Sequence, residues 1–103
     1  MEGVLKQVIL VPTYLGMRPG KVASQCCWAA TKFGVEAEKR IILKVRTRQK
    51  LTALLRKADT YLVVVGKVVD EGLTQVPPNS LTAVSIVGEE TEVDRITGDL
   101  ELL

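Results

Sequence analysis

The sequence predicts an α/β fold in one domain that spans residues 1–103. A chain of this length has room for a single domain, and folding buries roughly two-thirds of the surface that the unfolded chain exposes. The apolar content of 47% with 25% charged residues is typical of a globular protein. Runs of β-branched residues alternate with segments of helical periodicity, which predicts the order β-α-β-α-β-β-α.

The first half of the chain predicts two strands and two helices. Lys6–Tyr14 is a near-continuous apolar run, typical of a central strand buried on both faces, although Pro12 makes its end irregular. Gly20–Phe33 repeats its apolar residues at helical spacing, and Arg40–Val45 is a second buried strand. Thr47 can cap a second helix, whose buried stripe consists of Leu51, Leu54, Leu55 and Ala58.

The second half predicts two further strands, a long loop and a short helix. In chain order these are strand Tyr61–Val69, loop Asp70–Ser80, strand Leu81–Val87, helix Glu89–Ile96 and an apolar tail at Leu100–Leu103. We find no internal repeat and no linker in this pattern.

Composition excludes several classes of function. The chain contains no histidine, which rules out Ser-His-Asp and Cys-His catalysis and any zinc site that depends on imidazole. We expect no metal and no cofactor.

Cys26 and Cys27 are adjacent and are expected to be mostly buried thiols in a reducing cytoplasm. No apolar run approaches the roughly 18 residues that span a bilayer, and the amino terminus does not resemble a secretory signal, so we expect a cytoplasmic protein without a membrane segment.

The net charge of +2 conceals an asymmetry between the two halves. Residues 1–58 contain twelve Lys/Arg and three Asp/Glu, whereas residues 59–103 contain two and nine. This division indicates either a basic face for a polyanion or ordinary solvated charge in a fold that interleaves the halves.

Two segments contain candidate site residues. Arg18 and Lys21 lie at the start of the first helix, where each cation opposes the helix dipole by roughly 0.3–1 kcal/mol. An anion bound to the free N–H groups there would explain them, although such side chains also commonly point into water. The loop that begins at Asp70 contains Thr74 and Gln75, so a carboxylate, a hydroxyl and an amide lie within six residues. A turn with its own hydrogen bonds would have the same composition.

The motifs of the chain resemble those of the archaeal- and eukaryotic-type peptidyl-tRNA hydrolases. The opening KQVILVPTYLGMRPGKVASQCCWAA is similar to the first strand and helix of that family, and RIILKV to its second strand. DEGLTQVPPNS is similar to its DxGxTQ loop, and VDRITGDLELL to its closing segment. From Lys44 to the end the similarity runs with almost no gaps. The resemblance implies a mixed four-stranded sheet flanked by helices.

The resemblance also implies a site. Lys21, Asp70 and Thr74 fall on family active-site positions and are the candidate catalytic residues. The candidate substrate-binding residues are Arg18 and Tyr14, near the first helix, together with Gln25, Trp28 and Gln75. The substrate implied is peptidyl-tRNA, and the archaeal members of the family suggest a homodimer.

Several positions depart from the family pattern. Trp28 stands where the family has the histidine of its AHAA motif, and Tyr14 replaces an aspartate; Pro12, Pro19 and Leu73 also differ. The connection between Phe33 and Arg40 is shorter than in the family. An indole N–H donates and never accepts a proton, and an exposed aspartate with a pKa of about 3.9 is a poor base at neutral pH. A missing general base costs roughly 10²–10⁴ in rate.

Two functional hypotheses follow. The chain is either a hydrolase of reduced activity that uses Lys21, Asp70 and Thr74, or a silent relative that binds tRNA or a protein. Trp28 either packs against the shortened connection or stacks on the adenine end of tRNA, and the same alternatives apply to Tyr14.

Overall fold

The computed structural model describes residues 3–34, 36–70, 76–77 and 80–103. These residues form four strands and three α-helices in the predicted order, with one 3₁₀ turn at Thr13–Leu15. The strands are β1 (Leu5–Pro12), β2 (Lys39–Val45), β3 (Val63–Val69) and β4 (Leu81–Glu89). The helices are α1 (Pro19–Lys32), α2 (Arg48–Ala58) and α3 (Glu90–Thr97). The predicted fold class and order of elements are confirmed.

The four strands form one mixed sheet in the order β2-β1-β4-β3. β1 pairs in parallel with β2 and antiparallel with β4, and β3 pairs antiparallel with β4. The parallel pair requires a long crossover, which contains α1. The last six residues of β1 are buried, as expected for a strand covered on both faces.

Helices cover both faces of the sheet. One face packs against α2 and α3 and contains Val8, Leu10, Leu43, Val84 and Ile86 together with Leu51, Leu54, Val93 and Ile96. The other face packs against α1 and contains Ile9, Val11, Val68 and Ala83 together with Cys26 and Ala29. Among the described helices, α1 therefore lies alone over its face of the sheet.

The predicted cap of α2 is confirmed. The Thr47 side chain accepts a hydrogen bond from the Lys50 N–H at 3.1 Å, which satisfies one of the unpaired donors at the start of the helix.

The first strand ends two residues earlier than the sequence pattern predicts. Pro12 is the last strand residue, because proline has no N–H to donate to the ladder. The chain then forms the 3₁₀ turn that contains Tyr14, and the Gly16 N–H donates to the Thr13 carbonyl at 3.1 Å. Gly16 has φ +66°, which a residue with a side chain rarely adopts. Tyr14 therefore lies in a turn, and its predicted position within the strand is wrong.

The fold interleaves the basic and acidic halves of the chain. Ion pairs join Lys6 to Asp94 at 2.7 Å, Lys39 to Glu90 at 2.7 Å, Arg46 to Glu101 at 2.7 Å and Lys50 to Asp99 at 3.4 Å. These four pairs support the interleaved alternative for the cations that they involve, whose charge is neutralised by α3 and the carboxyl-terminal tail. No helix in the described part of the chain has the length and apolar character needed to cross a bilayer.

Candidate functional site

Lys21 and Asp70 form an ion pair at the centre of the predicted site. The Lys21 Nζ lies 2.5 Å from Oδ1 of Asp70, and the two side chains are only 11% and 10% exposed. An ion pair with so little exposure is screened less by salt than a surface pair. Asp70 is therefore not the exposed aspartate that the sequence suggested.

Two different elements position this pair. Lys21 lies in the first turn of α1, which begins with Pro19. Asp70 directly follows β3, and its N–H donates to the Ser80 carbonyl at 2.9 Å, so the backbone closes the base of the loop between them. The contact joins positions 49 residues apart in sequence.

Gln25 lies one turn beyond Lys21 on α1, and its side chain is buried. It is 7% exposed, and its Oε1 accepts a hydrogen bond of 2.5 Å from the Thr82 hydroxyl. Thr82 is the extra residue of a β-bulge, because Val68 pairs with Ala83 whereas Val69 pairs with Leu81. Bulges redirect side chains and are frequent beside active sites. Gln25 thus anchors the first turns of α1 to the sheet.

Thr82 is a site residue that the sequence analysis missed. Thr82 occurs in an apolar, β-branched run whose pattern predicts a regular strand. Periodicity alone does not predict a bulge within such a strand.

Arg18 is the N-cap residue of α1 and is exposed, and its side chain makes no capping hydrogen bond. Gly20 follows in the first turn, and the space where a side chain would lie is open to at least 4 Å. The N–H groups of the first helical turn have no intrahelical acceptors. The start of α1 therefore offers N–H groups, the positive end of a helix dipole and a lysine side chain in one place.

Tyr14 is half-buried and packs against the core cluster beneath α2. The Arg48 guanidinium lies over its ring at 5.3 Å from the centroid. One face of the ring is therefore already occupied by a cation, and a base could stack on that face only if Arg48 moved.

Trp28 is exposed on the surface of α1, with 59% of its surface accessible. Less than half of its surface is therefore buried, so packing against the connection between Phe33 and Arg40 involves at most that part of the side chain. Trp28 lies seven residues after Lys21, so both side chains project from nearly the same side of the helix, about 10.5 Å apart along its axis.

Thr74 and Gln75 lie outside the described residues. The predicted approach of Lys21 to Thr74 therefore stays a prediction. Within the described residues, Lys21 contacts Asp70, which precedes Thr74 by four positions.

An apolar cavity of about 500 Å³ lies on the other flank of α1. Pro19, Val22, Ala23 and Cys26 line it from the helix, and Val11, Ile42 and Leu103 from the sheet and tail. Burial, followed by the neighbouring Cys27, raises the pKa of the Cys26 thiol. Among the described residues, no group of His, Cys, Asp and Glu is arranged to hold a metal ion.

Comparison with known proteins finds peptidyl-tRNA hydrolases that are similar to this chain. Residues 31–103 match the family described as peptidyl-tRNA hydrolase PTH2. A peptidyl-tRNA hydrolase of Staphylothermus marinus is 37% identical, with 95% of this chain and 94% of the relative covered. One of Methanothermobacter thermautotrophicus is 33% identical, with 96% and 100% covered. A probable peptidyl-tRNA hydrolase 2 of Dictyostelium discoideum is 34% identical over 97% of this chain, which spans 55% of that relative.

Proposed function

The chain belongs to the PTH2 family of peptidyl-tRNA hydrolases, and from that premise we propose that it hydrolyses the ester between a peptide and the 3′ ribose of tRNA. The observation that carries the proposal is the contact between Lys21 and Asp70, two residues that the family resemblance singles out. Their juxtaposition supports a shared site at the start of α1.

Lys21 supplies positive charge where negative charge develops. Attack of water on the ester carbonyl forms an oxyanion, and fixed cationic and N–H donors stabilise it without reorganising. Removal of one such donor typically lowers kcat about 10²–10³-fold. Asp70 holds the ammonium group in position through the ion pair between Nζ and Oδ1.

Gln25 and Thr82 act as positioning residues in this proposal. Their buried hydrogen bond fixes the first turns of α1 against β4, and Lys21 projects from those turns. Thr74, assigned by resemblance, orients the water or the carbonyl, and Gln75 and Arg18 contact the substrate. The homodimer that the resemblance implies stays a prediction, which analytical ultracentrifugation tests.

The chain catalyses this reaction more slowly than relatives that have a histidine at the position of Trp28. Neither the Trp28 indole nor the Lys21 ammonium accepts a proton from water, so neither replaces the family histidine as a general base. The deficit expected for a missing general base is about 10²–10⁴-fold.

A turnover assay tests the proposal. The substrate is tRNA charged with a labelled, N-acetylated amino acid, and the enzyme is compared with Lys21→Met and with the matched variant Lys67→Met, an exposed lysine on β3. We expect hydrolysis by the parent chain and by Lys67→Met, and a loss of at least about 100-fold in Lys21→Met. Equal rates for all three proteins would remove the assignment.

The alternative is a silent relative that binds tRNA without hydrolysing it. The exposure of Trp28 favours this alternative, because an accessible indole beside a cationic site provides a surface on which a base can stack. Trp28→His separates the two hypotheses. An increase in hydrolysis shows a competent site that lacks only its base, whereas binding without hydrolysis in both proteins supports the silent relative.

A further inference from the structure

Helix α2 is strongly basic, because it contains Arg48, Lys50, Arg56 and Lys57. Five cations between β1 and the start of α2 form ion pairs with carboxylates, namely Lys6, Lys21, Lys39, Arg46 and Lys50. Among the described residues, the other cations of α2, namely Arg48, Arg56 and Lys57, form no ion pair with a carboxylate within 4.0 Å. α2 itself contains no acidic residue.

Arg48 and Arg56 belong to one continuous surface, which we call the α2 ridge. It consists of Arg48, Gln49, Thr52, Ala53 and Arg56, all exposed, and these residues line a shallow groove of about 320 Å³. Arg48 and Arg56 are eight residues apart, about 12 Å along the helix axis. The helix is anchored beneath them by Leu51, Leu54 and Ala58, so the backbone positions from which the two arginine side chains extend are fixed by a packed element.

The α2 ridge is connected to the candidate site. Arg48 also lines a cavity of about 280 Å³ together with Tyr14 and Ser80. The Ser80 carbonyl accepts the hydrogen bond from the Asp70 N–H, at the base of the loop that follows β3. The ridge therefore begins beside the loop whose first residue contacts Lys21 and extends away from it along α2.

We propose that the α2 ridge binds the sugar–phosphate backbone of the paired acceptor stem of tRNA, a proposal that rests on the function proposed above. Guanidinium groups bind phosphate oxygens in bidentate fashion, and such contacts position a nucleic acid without reading its sequence. The ridge itself contains no aromatic residue, and Arg48 covers one face of the Tyr14 ring. A surface with cations but no open stacking platform suits a duplex, whereas unpaired nucleotides bind to aromatic faces.

Binding of two RNAs at several salt concentrations tests the proposal. The probes are an intact deacylated tRNA and a short single strand with the sequence of its 3′ end, and the proteins are the parent chain, Arg56→Gln and the matched variant Arg95→Gln. Arg95 is 64% exposed on α3 and pairs with Glu92. We expect Arg56→Gln to weaken binding of intact tRNA several-fold and to make the slope of log K against log salt shallower by about 0.9. Its affinity for the short strand should match that of the parent chain.

Two results would overturn the proposal. One is an unchanged salt slope and unchanged tRNA affinity in Arg56→Gln relative to Arg95→Gln. The other is competition by polyglutamate as effective as that by tRNA, which would show a general anion surface. Hydrolysis by the parent chain is measured on the same preparations. If Arg56→Gln binds tRNA as Arg95→Gln does while the parent chain hydrolyses its substrate, only the proposal for the α2 ridge is refuted. If the parent chain does not hydrolyse the substrate, the proposed function is refuted.

Discussion

Thr82 donates a hydrogen bond of 2.5 Å to Oε1 of Gln25, and thereby joins the bulge in β4 to the turn of α1 that follows Lys21. Both side chains are buried, with Thr82 at 0% and Gln25 at 7% exposure. The irregularity in the sheet therefore directs a hydroxyl at the helix that carries the catalytic lysine of the proposed mechanism.

Replacing Thr82 by valine removes this hydrogen bond while keeping the shape of the side chain. A buried amide oxygen left without a donor costs about 1–3 kcal/mol, so we expect the free energy of unfolding to fall by that amount, as measured by urea denaturation. Thr82→Ser retains the hydroxyl and should lose less. Thr31→Val is the control on the exposed surface of α1 and should change stability little; equal losses in both valine variants would contradict the positioning role.

Gly66 lies beneath Phe33, at the end of α1. A methyl group at Gly66 would come within about 2.3–2.6 Å of the Phe33 ring, so Gly66→Ala should lower the free energy of unfolding by roughly 1–3 kcal/mol. The double variant with Phe33→Leu should recover part of this loss. Gly20→Ala adds a methyl group in open space, and no such loss is expected there. Additive effects of the Gly66 and Phe33 changes would show that the two residues do not interact.

The sequence predicts elements that depend on local chemistry. The cap at Thr47 and the buried stripe of α2 follow from residue type and periodicity within one helix. The sequence pattern places Tyr14 in the strand, because the apolar run continues past Pro12 and the 3₁₀ turn depends on Gly16 downstream.

Features that depend on distant parts of the chain were not predictable from residue patterns alone. The bulge at Thr82 and the stacking of Arg48 on Tyr14 require knowledge of strand register and helix placement. The likeness to a known family singled out both Lys21 and Asp70, and the structure brings them into contact. The low exposure of Asp70 was not predicted, because burial of a loop carboxylate depends on its packing against α1.

Trp28→Ala should weaken binding of a single-stranded 3′-terminal oligonucleotide. Stacking on one base contributes about 1–3 kcal/mol, which corresponds to roughly 5–150-fold in affinity, as measured by fluorescence anisotropy. Because Trp28 is 59% exposed, the stability of the chain should change far less than for a core tryptophan. Leu62→Ala, at an 84% exposed position outside α1, is the control. Unchanged oligonucleotide affinity in Trp28→Ala would exclude stacking.

The two cysteines should differ in reactivity. Burial raises the pKa of Cys26, so at a given pH a smaller fraction of it is thiolate than of a thiol with the ordinary pKa, whereas Cys27 is exposed. At pH 8, iodoacetamide should therefore modify Cys27 first, and peptide mass spectrometry identifies the site. The difference should disappear when urea unfolds the chain and exposes Cys26. Equal rates in the folded protein would contradict the burial of Cys26.

Hydrolysis by variants of the Lys21–Asp70 pair tests the central claim most directly. Removing one partner of a buried ion pair lowers the free energy of unfolding by about 3–5 kcal/mol, because the other charge stays buried without a partner. The double variant Lys21→Met/Asp70→Asn removes both charges and is therefore the variant expected to stay folded. Single-turnover hydrolysis of N-acetylated aminoacyl-tRNA is measured for the parent chain, this double variant and Lys67→Met. We predict that the double variant retains its thermal unfolding transition and loses hydrolysis by about 100-fold or more, while Lys67→Met keeps the parent rate. A folded double variant that hydrolyses the ester as fast as the parent chain would contradict the account.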